Sequence, residues 1–371
     1  MSKLLVFHPT IAPYRIDFFN DLARSFQARI CLRYWNLRDQ TFDFDKIYSK
    51  FHFTPVYMKE KVKFGKRTLE TGYWKQLDDF QPDVVLTEEF GFGTMLVLLH
   101  RFFKRKKYKV VTMCDDSYDM VADKNEHSAM HRWARKCVAP FLDEIIVIEP
   151  NTGRWYRNRY GKGYFFPIIK REDAARREYL SVLEWSKELR HKFSLENKWI
   201  FLFVGRLVAL KNVASIIRSF SVLDQRKHKL VIVGEGPEMN NLKHMAEELG
   251  ADVLFAGRQE GEALNVWYDL ADTLVLASYR EAFGAVTNEA LLAGCYVLVS
   301  NRAGSACLVA EGVNGYTFSP TNEQELAEKM MKVTGFPVIY GTDGLKKNQM
   351  RLSYRKCMRG LVGHLKQLVY G

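Results

Sequence analysis

The feature that most constrains the fold is a regular alternation of short apolar segments with amphipathic helical segments. In the front half the pattern predicts strands at residues 4–7, 28–34, 83–87, 110–113 and 144–148, with helical segments between several of these strands. Strands that alternate with helices are typical of a parallel sheet covered by helices on both faces. The front half is therefore predicted to form an α/β domain.

The same alternation restarts in the back half, after a charged helical stretch at residues 171–192. Here the pattern predicts strands at residues 199–204, 230–233, 253–255, 273–277 and 296–300. Each half is long enough to bury a core of its own. We therefore predict two Rossmann-like, doubly wound α/β domains at residues 1–180 and 181–371, with a final helix at about 350–371 that packs back on the first domain.

The charge of the chain is unevenly distributed. Lys and Arg exceed Asp and Glu by 10 in residues 1–200 but by only 2 in residues 201–371. A basic front half predicts an anionic partner. Charge alone does not decide whether this partner is nucleic acid, a phospholipid surface or a phosphorylated substrate. Two stretches, 100–109 and 154–160, mix cations with aromatic residues, as in peripheral membrane proteins or in helices that cover their own core. The chain has no run of about 18 apolar residues that predicts a transmembrane helix.

The first strand-to-helix turn of the back half carries residues suited to a phosphate. Ligands of open parallel sheets bind beyond the carboxyl ends of the strands. In the turn GRLVALKN, Gly205 allows the backbone to approach a ligand, and Arg206 and Lys211 offer cations to phosphate oxygens. The next turn, GEGP at 234–237, lacks the third glycine of a dinucleotide fingerprint, so Pro237 is interpreted as the first residue of a helix.

The third turn, residues 278–289, adds two carboxylates. Glu281 lies in the loop, Gly284 allows close backbone approach, and a helix beginning near Val286 places Glu289 in its first turn. Carboxylates accept hydrogen bonds from sugar hydroxyls, and amide groups at a helix start donate to phosphate. Taken alone, Glu281 is better interpreted as a solvated side chain and Glu289 as a complement to the helix dipole, but the joint spacing favours a site.

Four short segments of the back half form a joint motif: GRL at 205–207, KN at 211–212, EAFG at 281–284 and EA at 289–290. This motif resembles the retaining glycosyltransferases of family 4, including the spacing of their two glutamates. Residues 233–237 and 255–258 resemble that family's intermediate segments, and residues 13–19 resemble, more loosely, bacterial members that act on cell-surface polysaccharides. The resemblance implies the GT-B fold, with two Rossmann-like domains that face each other across a cleft.

The resemblance also implies a role for each matched residue. Arg206 and Lys211 would hold the donor diphosphate and stabilise the charge that develops on it, and Glu281 would contact the transferred sugar. Glu289 would bind the ribose hydroxyls. Further donor contacts are expected from Gly205, Asn212, Gly257, Arg258, Ala282, Phe283, Gly284, Ala285 and Val286.

The acceptor side departs from the family pattern. Many members have a Gly-Gly turn after the first strand and a histidine after a later strand, where this chain has HPTIAP at 8–13 and MCDD at 113–116. Asp115 or Asp116 is a candidate to replace that histidine. The full set of acceptor-side candidates is His8, Pro13, Tyr14, Arg15, Asp115 and Asp116.

The predicted function is retaining transfer of a sugar from a nucleotide-diphosphate donor, UDP before GDP, to a glycan or polyprenyl-linked acceptor of surface polysaccharide synthesis. No metal or other cofactor is expected, because Arg206 and Lys211 take the place of a divalent ion. The predicted location is cytoplasmic, on the inner face of an anionic membrane, with no nucleic acid bound. The alternatives are a basic nucleic-acid-binding protein and a phosphorylase of the same fold that uses inorganic phosphate.

Overall fold

The structure, a computed structural model, describes residues 1–34, 44–58, 61–64, 67–70, 72–122 and 129–371. The chain folds into two compact units. Unit 1 comprises Met1–Ile168 and Arg355–Gly371, and unit 2 comprises Ile169–Tyr354. The chain thus passes from unit 1 to unit 2 after Ile168. The predicted domain boundary lies 12 residues later, after residue 180.

Unit 1 is built around a sheet of seven strands, and all of its strand pairs are parallel. Its strands are β1 (Lys3–His8), β2 (Gln27–Leu32), β3 (Val56–Tyr57), β6 (Val84–Glu88), β7 (Lys109–Cys114), β8 (Glu144–Val147) and β9 (Tyr164–Phe165). They lie in the order β3-β2-β1-β6-β7-β8-β9. A separate antiparallel pair consists of β4 (Lys61–Phe64) and β5 (Arg67–Glu70).

Helices cover this sheet and close its core. They are α1 (Ile16–Ser25), α2 (Phe44–Tyr48), α3 (Tyr73–Phe80), α4 (Phe92–Phe103), α5 (Tyr118–Ala122), α6 (Ala129–Val138), α7 (Pro150–Tyr160) and the last helix, α15 (Tyr354–Tyr370). On α7 the Tyr156 ring is fully buried, which favours the core interpretation of the stretch 154–160. In the last helix, His364 Nε2 lies 2.6 Å from Glu144 Oε2 and the Lys366 ammonium lies over the Phe26 ring.

Unit 2 contains a second parallel sheet, of six strands. Its strands are β10 (Trp199–Val204), β11 (His228–Val233), β12 (Val253–Gly257), β13 (Thr273–Leu276), β14 (Tyr296–Ser300) and β15 (Gly315–Phe318). They lie in the order β12-β11-β10-β13-β14-β15. The central strand β10 pairs Phe201 with Leu230 on one side and with Thr273 on the other, so its apolar sequence WIFLFV lies in the core.

Seven α-helices accompany the second sheet. They are α8 (Glu172–Leu180), α9 (Leu183–Lys192), α10 (Val213–Ser221), α11 (Met239–Glu248), α12 (Glu262–Leu270), α13 (Ala285–Leu292) and α14 (Glu323–Val333). The charged stretch predicted at 171–192 is thus two helices, and α8 packs on α12 and α13, which places it in unit 2. The prediction for Pro237 was wrong, because α11 begins two residues later, at Met239.

Both sheets reverse their strand order beside their first strand. β1 lies between β2 and β6, and β10 lies between β11 and β13. At such a switch point the loops leave the sheet in opposite directions and open a crevice at the carboxyl ends of the strands. The prediction of two doubly wound α/β domains is confirmed. Among the described helices, none has the length and apolar character needed to cross a membrane.

Candidate active site

The loop after β10 rests directly on the turn after β11. The Gly205 amide donates to the Val233 carbonyl at 3.0 Å, and the Leu207 amide donates to the Glu235 carbonyl at 2.8 Å. A Cβ atom on Gly234 would collide with the Gly205 carbonyl, so only glycine fits at this contact. No functional role was predicted for the GEGP turn. In the structure the backbone of this turn supports the loop that carries Arg206.

Lys211 and Glu281 form an ion pair at the switch point of the second sheet. Lys211 lies beyond β10 and Glu281 lies beyond β13, and each side chain is about one fifth exposed. The Ser278 hydroxyl donates to the same carboxylate at 3.4 Å, and the Tyr279 amide donates to the Leu210 carbonyl at 3.0 Å. The structure therefore brings together two residues that the sequence places 70 positions apart.

Arg206 lies in the same loop, and its side chain has no partner in the part of the chain that the structure describes. Its side chain is exposed and makes no hydrogen bond or ion pair with any residue that the structure describes. An unpaired guanidinium in the same loop as Lys211 can bind an anion without first breaking a protein contact. This arrangement suits a phosphate group.

The start of α13 provides backbone donors beside these charges. Gly284 has φ +90°, and a Cβ atom there would lie 2.6 Å from Leu276 Cδ2, so the position requires glycine. The helix begins at the next residue, and the first amide groups, at Ala285 and Val286, have no acceptor within the helix. The Phe283 ring points into the core, and its carbonyl accepts from the Ser305 amide at 2.7 Å. This helix terminus is a ready site for an anion.

The structure corrects the placement of Glu289. Because Gly284 caps the helix in the left-handed conformation, α13 starts at Ala285 and Glu289 falls in the second turn, not the first. Its carboxylate is instead held by Tyr268, whose hydroxyl donates to Oε2 at 2.8 Å. Lys170 Nζ lies 3.7 Å from the other carboxylate oxygen. Burial and the neighbouring carboxylate raise the pKa of Tyr268 well above its usual value, which keeps the hydroxyl protonated.

Three further predicted donor contacts have other partners in this structure. Asn212 is buried with φ +52°, and its side-chain amide donates to the Pro320 carbonyl at 2.7 Å. The exposed Arg258 side chain forms ion pairs with Glu260 and Glu235. The Gly257 carbonyl accepts from the amide of Gly234 at 2.8 Å. Contact of these residues with a donor stays a prediction.

The acceptor-side candidates gather at the carboxyl edge of the first sheet. Arg15 is buried in the short 3₁₀ helix Pro13–Arg15, and its Nη2 donates to Asp115 Oδ1 at 2.5 Å. In that turn Pro13 is exposed and Tyr14 is half-buried. Two candidates that are 100 residues apart in sequence are therefore in direct contact.

His8 lies at the end of β1 as a neutral side chain. Burial and the nearby Arg15 cation lower the pKa of His8 to about 4. Its Nδ1 lies 2.6 Å from the Thr10 carbonyl, which can only accept, so Nδ1 carries the proton. The Nε2 atom faces Glu88 Oε1 at 3.9 Å. A neutral imidazole with Nε2 unprotonated accepts hydrogen bonds and does not act as a cation near neutral pH.

Sequence reasoning missed two carboxylates at the end of β6, Glu88 as its last residue and Glu89 directly after it. Arg33 donates to Glu88 Oε2 at 2.9 Å, and the Asp115 amide donates to Glu89 Oε1 at 3.0 Å. Burial raises the pKa of Glu88 to about 7, and burial together with Asp116 raises the pKa of Glu89 well above its usual range. The sequence signal was present, because the triplet TEE at residues 87–89 spans the end of an apolar strand at the switch point.

One group of metal-ligand types lies close together among the described residues. Atoms of Glu89, Cys114 and Asp116 lie within 4.8 Å of one another. Arg135 Nη1 is 3.8 Å from the Asp116 carboxylate, so a positive charge already lies beside it. Burial and the two carboxylates raise the pKa of the Cys114 thiol well above its usual value. A protonated thiol and an adjacent guanidinium fit a polar cluster better than a metal centre.

Comparison with known proteins gives a family for part of the chain. Residues 186–335, which include Arg206, Lys211, Glu281 and Glu289, match the sequence model of the family "Glycosyl transferases group 1".

Two curated relatives illustrate the match. An uncharacterized glycosyltransferase of Methanocaldococcus jannaschii is 33% identical over 151 residues, which are 39% of each chain. A second relative, from Campylobacter jejuni, is the α-1,4-N-acetyl-D-galactosaminyltransferase named for GalNAc-α-(1→4)-GalNAc-α-(1→3)-diNAcBac-PP-undecaprenol. It is 25% identical over 240 residues, which are 64% of this chain and 61% of the relative. The matches span less than two thirds of either relative's length.

A solved structure matches over nearly the whole chain. HepE of Anabaena, crystallised with UDP, superposes with a TM-score of 0.75 at 17% identity, covering 99% of this chain and all of that one. At this identity the similarity shows the fold, and the predicted GT-B architecture of two doubly wound domains is confirmed.

Proposed function

Since residues 186–335 match the sequence model of the group 1 glycosyl transferases, we propose that the protein is a retaining glycosyltransferase. It transfers a sugar from a nucleoside diphosphate to a glycan or lipid-linked acceptor in surface polysaccharide synthesis, at the cytoplasmic face of a membrane. The Campylobacter relative, named for an undecaprenyl diphosphate-linked glycan, supports an acceptor of this class.

The observation that carries the proposal is the convergence of charges at the switch point of the second sheet. Arg206 is exposed and unpaired among the described residues, and Lys211 contacts Glu281 across the two loops. In this arrangement the two cations bind the diphosphate and stabilise the negative charge that develops as it leaves. Preorganised charge of this kind commonly provides the largest part of catalysis, and it makes a divalent metal unnecessary.

The remaining groups hold the rest of the donor. The Glu281 carboxylate accepts hydrogen bonds from the transferred sugar, while the amides at the start of α13 donate to phosphate oxygens. Glu289, oriented by Tyr268, accepts from the ribose hydroxyls. We propose UDP before GDP as the nucleotide.

The reaction exchanges one glycosidic bond for another. The bond between the anomeric carbon and the phosphate oxygen breaks, and its electron pair stays on the diphosphate. The acceptor hydroxyl attacks the same face of the sugar and passes its proton to an oxygen of the leaving diphosphate, so the anomeric configuration is retained. The Arg15–Asp115 pair and the carboxylates of Glu88 and Glu89 provide polar contacts for the acceptor.

The test is turnover of a panel of UDP- and GDP-sugars, followed by release of the nucleoside diphosphate. Arg206→Ala and Lys211→Ala should each lower kcat/KM about 100- to 1000-fold. Arg226→Ala is the matched control, because that exposed side chain pairs only with Asp224 outside the site. Near-normal turnover in both site variants, with the fold intact, would show that the assignment is wrong.

Two further measurements address the finer parts of the proposal. NMR of the product's anomeric proton distinguishes retention from inversion, and turnover in excess chelator should match turnover with added divalent ions. A phosphorylase would be stabilised by inorganic phosphate, and not by UDP, in thermal-shift assays. That result would show that the enzyme uses inorganic phosphate and not a nucleotide donor.

A further inference from the structure

Two exposed aromatic rings mark the end of α4 in unit 1. Phe102 and Phe103 are 76% and 66% exposed, and their rings meet edge to face with centroids 5.4 Å apart. Most large exposed apolar side chains of a soluble domain occur singly. A pair at one helix end is a projecting apolar feature that water solvates poorly.

Unpaired cations follow the two rings directly. The side chains of Arg105, Lys106 and Lys107 make no hydrogen bond or ion pair with any residue within the described ranges. The flanking lysines differ, because Lys104 lies 3.7 Å from an Asp78 oxygen and Lys109 lies 3.7 Å from an Asp143 oxygen. Among the cations at residues 104–109, those without a carboxylate partner in the described ranges are therefore the three at the turn from α4 to β7. We call residues 102–107 the α4–β7 loop.

A cavity of about 360 Å³ opens beside this loop. Its lining includes three lysines, Lys106, Lys107 and Lys109, one carboxylate, Asp83, and apolar side chains of Leu77, Pro82 and Val369. Because the lysines outnumber the carboxylate, a cavity of this size fits a phosphate-bearing headgroup and its first carbon atoms.

We propose that the α4–β7 loop and this cavity bind the anionic phospholipids of a bilayer. The phosphate of one lipid lies against Lys106 and Lys107 in the cavity, while Phe102 and Phe103 enter the boundary between headgroups and acyl chains. Aromatic rings flanked by cations are the usual chemistry of interfacial binding. The inference rests on the proposed function, since a lipid-linked acceptor requires the enzyme at a membrane.

The loop lies far from the acceptor-side cluster. It precedes β7 (Lys109–Cys114), whereas Asp115 follows that strand. At about 3.3 Å per residue, the two ends of β7 are roughly 17 Å apart. Substitutions in the loop therefore leave the acceptor-side residues in place, and membrane binding can be separated from catalysis.

Co-sedimentation of the full chain with lipid vesicles tests the proposal. Vesicles of equal parts phosphatidylglycerol and phosphatidylcholine should bind the protein at low salt, and pure phosphatidylcholine should not. Each cation near an anionic surface strengthens binding about fivefold, so Lys106→Ala with Lys107→Ala should weaken it about 30-fold. Phe102→Ala and Phe103→Ala should each weaken it about tenfold.

A charge-matched control separates a local site from general attraction. Lys356→Ala with Arg359→Ala removes two exposed cations from the last helix of the same unit and should leave vesicle binding unchanged. Equal losses in both double variants would overturn the proposal, as would tight binding to a short RNA without binding to vesicles. Donor hydrolysis in the absence of lipid should stay normal in the loop variants; if the wild type itself releases no nucleotide, the proposed function fails while the vesicle result still stands.

Discussion

The Tyr268–Glu289 hydrogen bond offers a sharp test of the proposed nucleotide site. The Tyr268 side chain is fully buried, and its hydroxyl donates to Glu289 Oε2 at 2.8 Å. Tyr268→Phe removes this donor and almost no volume. The variant therefore leaves the packing of α12 against its neighbours in place and frees one oxygen of the carboxylate.

The expected loss of UDP affinity follows from the fixed orientation that Tyr268 gives to the Glu289 side chain. Fixing a mobile side chain on binding costs about 0.5–1.5 kcal/mol. In the wild type the Glu289 carboxylate is already oriented before the ligand binds, so the variant should bind UDP up to about tenfold more weakly. Loss of a hydrogen bond to a charged group should also destabilise unit 2 by about 1.5–3 kcal/mol.

Isothermal titration with UDP and with pyrophosphate distinguishes the ribose contact from the phosphate contact. Tyr268→Phe should weaken UDP and leave pyrophosphate unchanged, whereas Arg206→Ala should weaken both. Tyr179→Phe is the matched control, because this equally buried hydroxyl donates to the Glu289 backbone carbonyl at 2.9 Å and not to the carboxylate. Unchanged UDP affinity in Tyr268→Phe, or an equal loss for pyrophosphate, would refute the role of Tyr268 as a positioning residue.

Three further predictions concern single residues. Gly284→Ala should destabilise unit 2 and abolish turnover, because its Cβ would press on a neighbouring leucine; Gly250→Ala, left-handed but open to solvent, should cost only about 1 kcal/mol in urea denaturation. The lowered pKa of His8, about 4 when folded against 6.5 when unfolded, means that stability falls as pH drops through this interval. At pH 5 the loss should be about 2 kcal/mol, and it should be absent in His8→Asn. If the Asn212 side chain is structural, Asn212→Gly should lower the melting temperature without changing the affinity for UDP. A large loss of UDP affinity would instead show that Asn212 contacts the donor.

The sequence predicts most of the sheet architecture because burial of the central strands is nearly complete. The segment WIFLFV in β10 is apolar along its whole length and YVLVS in β14 is apolar up to its last residue, Ser300, as expected of strands buried on both faces. Edge strands carry a weaker signal. β15 (GYTF) is partly exposed and β9 has only two residues, so neither stands out from the loops around it.

The local details of the site were harder to predict, because they depend on contacts between distant segments. The left-handed Gly284 moves the start of α13 by one residue and places Glu289 in the second turn. The partner of that carboxylate, Tyr268, lies on a different helix, where sequence alone gives it only an apolar position. The Asn212 side chain turns inward to the Pro320 carbonyl, which no spacing rule anticipates.

The two units use one topology to bring charges together, and this explains why both sites form from separated segments. In unit 2 the loops after β10 and β13 place Lys211 against Glu281, and in unit 1 the ends of β1 and β6 place His8 beside Glu88. Each pair consists of residues at or just beyond the ends of the strands on either side of a switch point. Unit 2 carries Lys211 and Arg206 in one loop, which suits a diphosphate, whereas unit 1 collects carboxylates and a neutral imidazole, which suit hydroxyl groups. The chemistry of the two switch points therefore supports the proposed division between donor and acceptor sides, independently of the sequence motif in unit 2.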